Sequence, residues 1–160
     1  MLINQFLMLQ TKKQQEFKCL NCRKQVSLLN LIGSEHRNHC PSCLYSQHLD
    51  LDVPGDRKSE CKQKMEPIGI TLKHEGVDKY GKVKEGELMI IHKCLKCSKI
   101  SINRVAGDDN GEEILKVFKK SKDLAKQIKE DLQKNNIKLL QEKDKDVIYR
   151  QLFGKNKKQE

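Results

Sequence analysis

The sequence predicts a small α+β domain in which short antiparallel strands are followed by a helical C-terminal extension. Every cysteine, histidine and proline lies within residues 17–111, together with short apolar runs that are typical of strands. Residues 112–160 contain one glycine and no proline, and lysine, glutamate, glutamine and leucine dominate them. We therefore expect an N-terminal extension (1–16), a cysteine-rich domain (17–111) and a basic helical extension (112–160).

Three apolar runs in the cysteine-rich range predict β-strands. They are residues 68–72, 88–92 and 100–102, and β-branched or long aliphatic side chains dominate each of them. Phe17 and Val26 flank the first pair of cysteines, as expected for a small hairpin that holds a tight turn. The strands are short, and the sequence shows no repeat of fixed length.

Apolar residues after position 111 recur at spacings typical of a helix. The stripe consists of Ile114, Val117, Phe118, Leu124, Ile128 and Leu132. One of the polar residues 108–110 should cap this helix, and Asn135-Asn136 should break it. A second helix is expected from about 144 to 153, with Gly154 as its stop. We expect the stripe to pack onto the cysteine-rich domain; binding of a partner protein through this helix is the alternative.

The composition leaves few large side chains for a core. Aromatic residues make up 4% of the 160 residues and tryptophan is absent, so a metal or disulfides should reinforce the fold. Seven cysteines are an odd number for a disulfide framework. Residues 1–10 lack a basic leader and a small-residue cleavage site, and their apolar run is too short to span a membrane. We therefore expect a cytoplasmic protein without a membrane segment, whose reduced thiols bind metal.

The cysteines form three pairs with a two-residue gap. Two such turns supply the four ligands of a tetrahedral zinc ion. The first two pairs make a complete four-thiolate set with seventeen residues between them, a spacing typical of structural zinc in zinc-ribbon or treble-clef domains. The predicted ligands of this first site are Cys19, Cys22, Cys40 and Cys43.

A second zinc site requires one ligand that is not cysteine. The remaining thiols, Cys61, Cys94 and Cys97, are one short of four, and histidine is the usual replacement. His48 is ranked first because it lies between the second pair and Cys61, with His92 second and His39 third. The sequence thus predicts two zinc ions. Their thiolate-rich shells favour a structural role over a catalytic one.

The charge of the chain favours an anionic partner. The net charge is +10, from 32 basic and 22 acidic residues, so nucleic acid is the expected partner and RNA is favoured. Arg37, Arg57 and Arg104 lie beside predicted rigid turns and are the candidate nucleic-acid contacts. The alternative is that these arginines brace the fold through ion pairs with aspartates. Scarce aromatic residues argue for phosphate contacts over base stacking.

Several motifs in the cysteine-rich range together resemble a known family. They are Arg37-Asn38-His39-Cys40-Pro41, residues 43–50, Pro54-Gly55-Asp56-Arg57, Cys61, residues 91–97 and residues 103–110. In this combination they are similar to the RNHCP domain family of small prokaryotic proteins, over residues 17 to about 111. Ser98 departs from the glycine that such families often place after the third pair. The resemblance implies a zinc-binding domain and brings no established reaction with it.

Two classes of function follow from these residues. The leading hypothesis is a non-enzymatic zinc protein that binds RNA or associates with the ribosome. The alternative is a metal-dependent nuclease, in which His39 is the general base beside a structural zinc and Asp108 or Asp109 holds magnesium. A scaffold that contacts proteins through the helical extension is the third possibility.

Overall fold

A computed structural model describes residues 16–27 and 37–154. The N-terminal extension predicted for residues 1–16 lies outside this range, except for Glu16. The described part is an α+β fold of antiparallel strands followed by helices, which confirms the predicted class. No helix in the described ranges is long and apolar enough to cross a membrane.

The described strands form two separate sheets. A hairpin of two-residue strands pairs β1 (Phe17–Lys18) with β2 (Gln25–Val26). The main sheet has four antiparallel strands: β3 (Ser46–Gln47), β4 (Lys64–Leu72), β5 (Leu88–Cys94) and β6 (Ile100–Arg104). They lie in the order β3-β4-β5-β6, so each strand pairs with its neighbour in sequence. The three predicted apolar runs therefore lie in β4, β5 and β6.

A β-bulge interrupts β4 at its proline. Pro67 lies opposite His92 and Gly69 lies opposite Ile91, so Ile68 is the extra residue on β4. Proline has no N–H to donate to the ladder, and bulges are a usual place for it within a sheet. The bulge puts Ile68 on the same side of the sheet as Ile91, where both are buried.

In the part of the chain that the structure describes, three α-helices follow the sheet: α1 (Gly111–Lys120), α2 (Lys126–Lys134) and α3 (Lys145–Phe153). Asn110 caps α1 by accepting from two backbone amides, and Gly154 ends α3 with a positive φ of 69°. The predicted single helix across residues 114–132 is wrong, because a 3₁₀ turn at Ser121–Asp123 separates α1 from α2. The Ser121 hydroxyl bonds the carbonyl oxygen of Phe118 at 2.6 Å, which favours this local turn.

The helices cover both faces of the main sheet. On one face α1 and α3 pack on β4 and β5 around Ile70, Ile90, Ile114, Phe118 and Ile148. On the other face α2 and the chain after it pack around Ile68, Ile91, Leu132, Ile137 and Leu139. The apolar stripe of the extension therefore packs onto the cysteine-rich part, as we expected, and buries the sheet on both sides.

The chain between α2 and α3 covers an edge of β4 that would otherwise be exposed. Because β3 has only two residues, no strand among the described residues lies beside the second half of β4 on that side. The amide of Leu140 bonds the carbonyl oxygen of Ile70 at 2.9 Å, and the Thr71 hydroxyl bonds the carbonyl oxygen of Lys138 at 2.7 Å. These bonds satisfy backbone groups that would otherwise offer a template for another chain.

Candidate metal centre

Four thiols converge beside the β1-β2 hairpin. The turn after β1 brings Cys19 and Cys22 to the turn before β3, which carries Cys40 and Cys43. The sulfur atoms of Cys19 and Cys43 are 3.5 Å apart, and those of Cys22 and Cys40 are 3.6 Å apart. The edge of a tetrahedron with Zn–S bonds of 2.3 Å is about 3.8 Å. A disulfide would need about 2.05 Å, and all seven cysteines are free.

A second group of four ligand atoms lies at the end of β5. Its members are His48, Cys61, Cys94 and Cys97, with their ligand atoms within 4.8 Å of one another. The sulfurs of Cys61 and Cys94 are 3.7 Å apart, and His48 Nδ1 is 3.3 Å from the Cys97 sulfur. These separations fit the edges of a tetrahedron with one nitrogen and three sulfur ligands. Each of the two groups can hold one zinc ion, which agrees with the predicted number of two.

All three cysteine pairs share one turn geometry. The residue after each second cysteine has a positive φ, at Arg23 (65°), Leu44 (64°) and Ser98 (64°). Its amide bonds the carbonyl oxygen of the first cysteine of the pair, at 2.8 to 3.1 Å. A left-handed backbone at a residue with a Cβ costs roughly 1–2 kcal/mol, so metal binding has to offset strain at three positions. This requirement explains why glycine is a natural residue at the position of Ser98.

Backbone amides and burial act on the thiols in opposite directions. The amides of Asn21 and Cys22 lie 3.4 and 3.5 Å from the sulfur of Cys19, where they can donate to a thiolate. The amide of Lys24 lowers the pKa of Cys22 to about 7, whereas burial raises the pKa of Cys43 to about 12. In the metal-free protein the Cys43 thiol is therefore protonated at neutral pH, and zinc must displace its proton.

His92, the second-ranked candidate ligand, has two other partners. It is fully buried, its Nε2 donates to the carbonyl oxygen of Leu44 at 2.6 Å, and its Nδ1 accepts from Asn103 at 2.7 Å. Burial lowers the pKa of His92 to about 3, so the ring is neutral. Both ring nitrogens are engaged, and His92 braces the turn that contains Cys43.

His39, the third candidate, belongs to a buried ion-pair network. Its Nε2 lies 2.7 Å from the carboxylate of Asp109, and both side chains are completely buried. The same carboxylate accepts from the Arg37 guanidinium at 3.0 Å and from the amide of Ala106 at 2.8 Å. Arg37 also bonds Asp108, and this hydrogen bond lowers the pKa of the Asp108 carboxyl. The network ties the turn before the first metal group to the chain that enters α1.

The three predicted nucleic-acid contacts have different environments. The side chain of Arg37 has no exposed surface, so a phosphate cannot reach it in this conformation, and bracing the fold is the role its contacts support. Arg57 is exposed, and its guanidinium bonds the carbonyl oxygen of Arg37 at 3.4 Å. Arg104 pairs with Glu87 at the end of β6 that lies away from the second metal group. The three arginines do not form one cluster of equivalent contacts.

Sequence reasoning missed two aspartates that shape the loop after His48. The Asp56 carboxylate accepts from four backbone amides in residues 51–58, and these bonds lower its pKa. Asp50 accepts from the side chain of Asn38 at 2.8 Å and from the amide of Arg57 at 3.0 Å. The turn signal Pro54-Gly55 marks the loop in the sequence, but not the partners of these carboxylates.

An α+β fold built around two tetrahedral groups of thiolate and imidazole ligands defines a small zinc-binding protein compatible with the zinc-ribbon class. The model of the RNHCP domain family matches residues 14–115, and the chain belongs to this family. No curated protein and no solved structure gave a significant match.

Proposed function

We propose that this protein binds RNA without cleaving it, through cationic side chains that surround its two metal groups. Ten basic and three acidic residues lie within three positions of the eight candidate ligands. All of the basic residues except Arg37 are exposed or half-buried. They are Lys18, Arg23, Lys24, Lys58, Lys62, Lys64, Lys93, Lys96 and Lys99. We call these nine residues the cationic set.

The absence of ion pairs in the cationic set carries the proposal. Within the described ranges none of its nine members pairs with a carboxylate. In the helical extension, by contrast, six of the basic side chains do so, at Lys116, Lys122, Lys126, Lys134, Lys145 and Arg150. Cations without a carboxylate partner can neutralise phosphates and release counterions, which is the main source of affinity for nucleic acids.

The bound metal uses only part of this positive charge. A Zn²⁺ ion with four thiolates carries about −2, and one with three thiolates and a neutral imidazole carries about −1. Together with Glu16, Asp50 and Glu60, these centres balance about six of the nine cations. Arg57 adds one positive charge, whereas its neighbour Asp56 and Glu66, which lies opposite Lys93 in the sheet, add two negative charges. An excess of about two positive charges therefore remains among these residues after zinc is bound.

The burial of His39 weighs against the nuclease alternative. A general base must reach the attacking water or hydroxyl within hydrogen-bond distance. His39 has no exposed surface, and its Nε2 is bound to Asp109 at 2.7 Å. Asp109 is equally buried and bound to Arg37, so it does not offer an accessible site for magnesium. Both residues are used to join the first metal group to the start of α1.

The proposal is tested by the salt dependence of RNA affinity. A fluorescently labelled structured RNA is titrated with zinc-loaded protein at 50 and 200 mM salt. The test variant carries Lys24→Gln, Lys62→Gln and Lys96→Gln; the control variant, with the same net charge, carries Lys119→Gln, Lys120→Gln and Lys129→Gln in the extension. Each phosphate contact that is lost should reduce the slope of log affinity against log salt by about one. We expect a smaller slope and weaker binding for the test variant only.

Two further readings separate the outcomes. Equal loss of affinity in the test and control variants would mean that the net charge of the protein drives binding without a defined surface. An absence of binding at 50 mM salt would refute the proposal.

A parallel incubation of the RNA with protein and magnesium should leave the RNA intact. Cleavage that His39→Ala abolishes would establish the nuclease instead. Cosedimentation with ribosomes in a sucrose gradient, with and without high salt, tests whether the RNA is ribosomal.

A further inference from the structure

A small cavity lies beside the second metal group. Its volume is about 290 Å³, at the lower end of the range for small-molecule sites. β3, the loop after His48 and β6 form its walls, and the chain that leaves α2 closes it at Asn135 and Ile137. None of its polar lining residues has a role in the proposed phosphate contacts, apart from Lys99 of the cationic set.

Three polar side chains that line this cavity have unsatisfied hydrogen-bonding atoms. They are Asn38, Ser46 and His48, which are only 5%, 4% and 5% exposed. Asn38 Oδ1, Ser46 Oγ and His48 Nε2 are buried and have no hydrogen-bond partner among the described residues. A buried polar atom without a partner costs roughly 1–3 kcal/mol, and native proteins contain few of them. Three such atoms in residues that line one cavity indicate a site for a polar ligand, which reaches them only when the side chains that shield them shift.

The contacts of these residues fix the type of hydrogen bond that each can offer. When His48 Nδ1 binds zinc, the neutral ring carries its proton on Nε2, which is then a donor. The Asn38 amide donates to Asp50, which leaves its Oδ1 as an acceptor. The Ser46 hydroxyl can donate or accept. Once unshielded, these three side chains offer the cavity one donor, one acceptor and one group of either kind.

The remaining walls are apolar and the rim is cationic. Leu49, Met65, Ile100, Ile102 and Ile137 line the cavity, and they suit the faces of a flat, uncharged molecule. At the rim, the ammonium of Lys99 bonds the carbonyl oxygen of Leu51. The backbone of Arg57 is close to this rim, because its amide bonds Asp50, another lining residue, whereas its guanidinium bonds the carbonyl oxygen of Arg37.

We propose that this cavity receives one unpaired nucleobase. A nucleobase is flat and uncharged, and its edge presents donors and acceptors side by side, which matches the three unsatisfied atoms. The apolar walls would cover its two faces, and the ammonium of Lys99 at the rim would meet its phosphate. The source is either a looped-out nucleotide in a bound RNA, which rests on the proposed function, or a free nucleotide, which does not.

The test compares RNAs that differ by a single base. One hairpin carries a single bulged nucleotide, a second carries an abasic nucleotide at the bulge, and a third is fully paired. The zinc-loaded wild type should bind the bulged hairpin about tenfold more tightly than the abasic one, with each of the four bases tried at the bulge. Ser46→Ala should reduce this ratio about threefold to tenfold, because it removes one hydrogen bond and leaves the phosphate contacts intact.

Stability measurements distinguish this role from a structural one. The Ser46 hydroxyl has no protein partner in the described residues, so Ser46→Ala should leave the unfolding midpoint unchanged or raise it. Ser42→Ala is the matched control, because Ser42 lies on the first metal group's turn and does not line the cavity. It should leave the ratio between bulged and abasic hairpins unchanged.

Free nucleosides and nucleoside monophosphates are titrated in parallel by calorimetry. Saturable binding that Ser46→Ala weakens, without discrimination among the hairpins, would assign the cavity to a free nucleotide. No discrimination among the hairpins and no nucleotide binding would overturn the inference, even where all three hairpins bind equally well. Loss of hairpin binding at low salt would refute the proposed RNA function, and the nucleotide titration would still test the cavity.

Discussion

Replacement of Arg37 by methionine should destabilise the folded protein severely and leave its RNA affinity nearly unchanged. Methionine has a similar length and no charge, so it removes the guanidinium without opening a large cavity. The Asp109 carboxylate would then remain completely buried, with His39 and the amide of Ala106 as its only partners. Breaking a buried ion pair by removing one partner leaves an uncompensated charge.

The expected loss is about 3–5 kcal/mol, the usual cost of an unpaired buried charge. The side chains of Arg37 and Asp109 are both 0% exposed, so the value needs no reduction for solvent screening. A domain of this size loses about 2–4 °C of midpoint per kcal/mol, so the thermal midpoint should fall by roughly 6–20 °C. Asp108 contributes less, because its side chain is 31% exposed.

Thermal unfolding at a fixed excess of free zinc provides the measurement, since metal binding shifts the apparent stability. Arg57→Met is the matched control: its guanidinium is exposed and forms no ion pair within the described residues, so its stability should change by no more than about 0.5 kcal/mol. In an Asp109→Asn background the cost of Arg37→Met should shrink, because no buried charge is left unpaired.

An unfolding midpoint of Arg37→Met within about 1 °C of the wild type, together with much weaker RNA binding, would refute this role of Arg37. That result would mean that the guanidinium leaves Asp109 and contacts phosphate, which is one of the two roles that the sequence left open. A large loss of stability that persists in full in the Asp109→Asn background would also contradict the mechanism, since the cost would then come from packing.

Two other substitutions test the metal site and the helix start. His48→Ala should reduce the zinc content from about two ions per chain to about one, whereas the exposed His74→Ala should keep both; two ions retained in His48→Ala would exclude this histidine as a ligand. Asn110→Ala removes the acceptor of the Glu112 and Glu113 amides and should cost about 1 kcal/mol, read from denaturant midpoints; an unchanged midpoint would mean that water replaces the cap fully.

The sequence by itself determined the elements whose signals are local. A two-residue gap between cysteines is a property of one turn, so the three pairs predicted zinc, and Cys61 with one histidine completed the count of two ions. The apolar runs of β4, β5 and β6 and the glycine stop of α3 are likewise readable within a few residues. The break between α1 and α2 was missed because the apolar stripe resumes at Leu124 after Ser121. The Ser121 hydroxyl bonds the backbone and favours a turn at this position.

Only the tertiary structure showed the contacts of the polar motif residues. The sequence left Arg37 as a nucleic-acid contact or a brace and His39 as a zinc ligand or a catalytic base, because their partners Asp108 and Asp109 lie 70 to 72 positions further along the chain. Burial depends on which segments the fold brings together, and no local spacing records it. The cavity beside His48 could not be predicted from the sequence either. An atom can be recognised as unsatisfied only when the hydrogen-bond partners of the surrounding donors and acceptors are known.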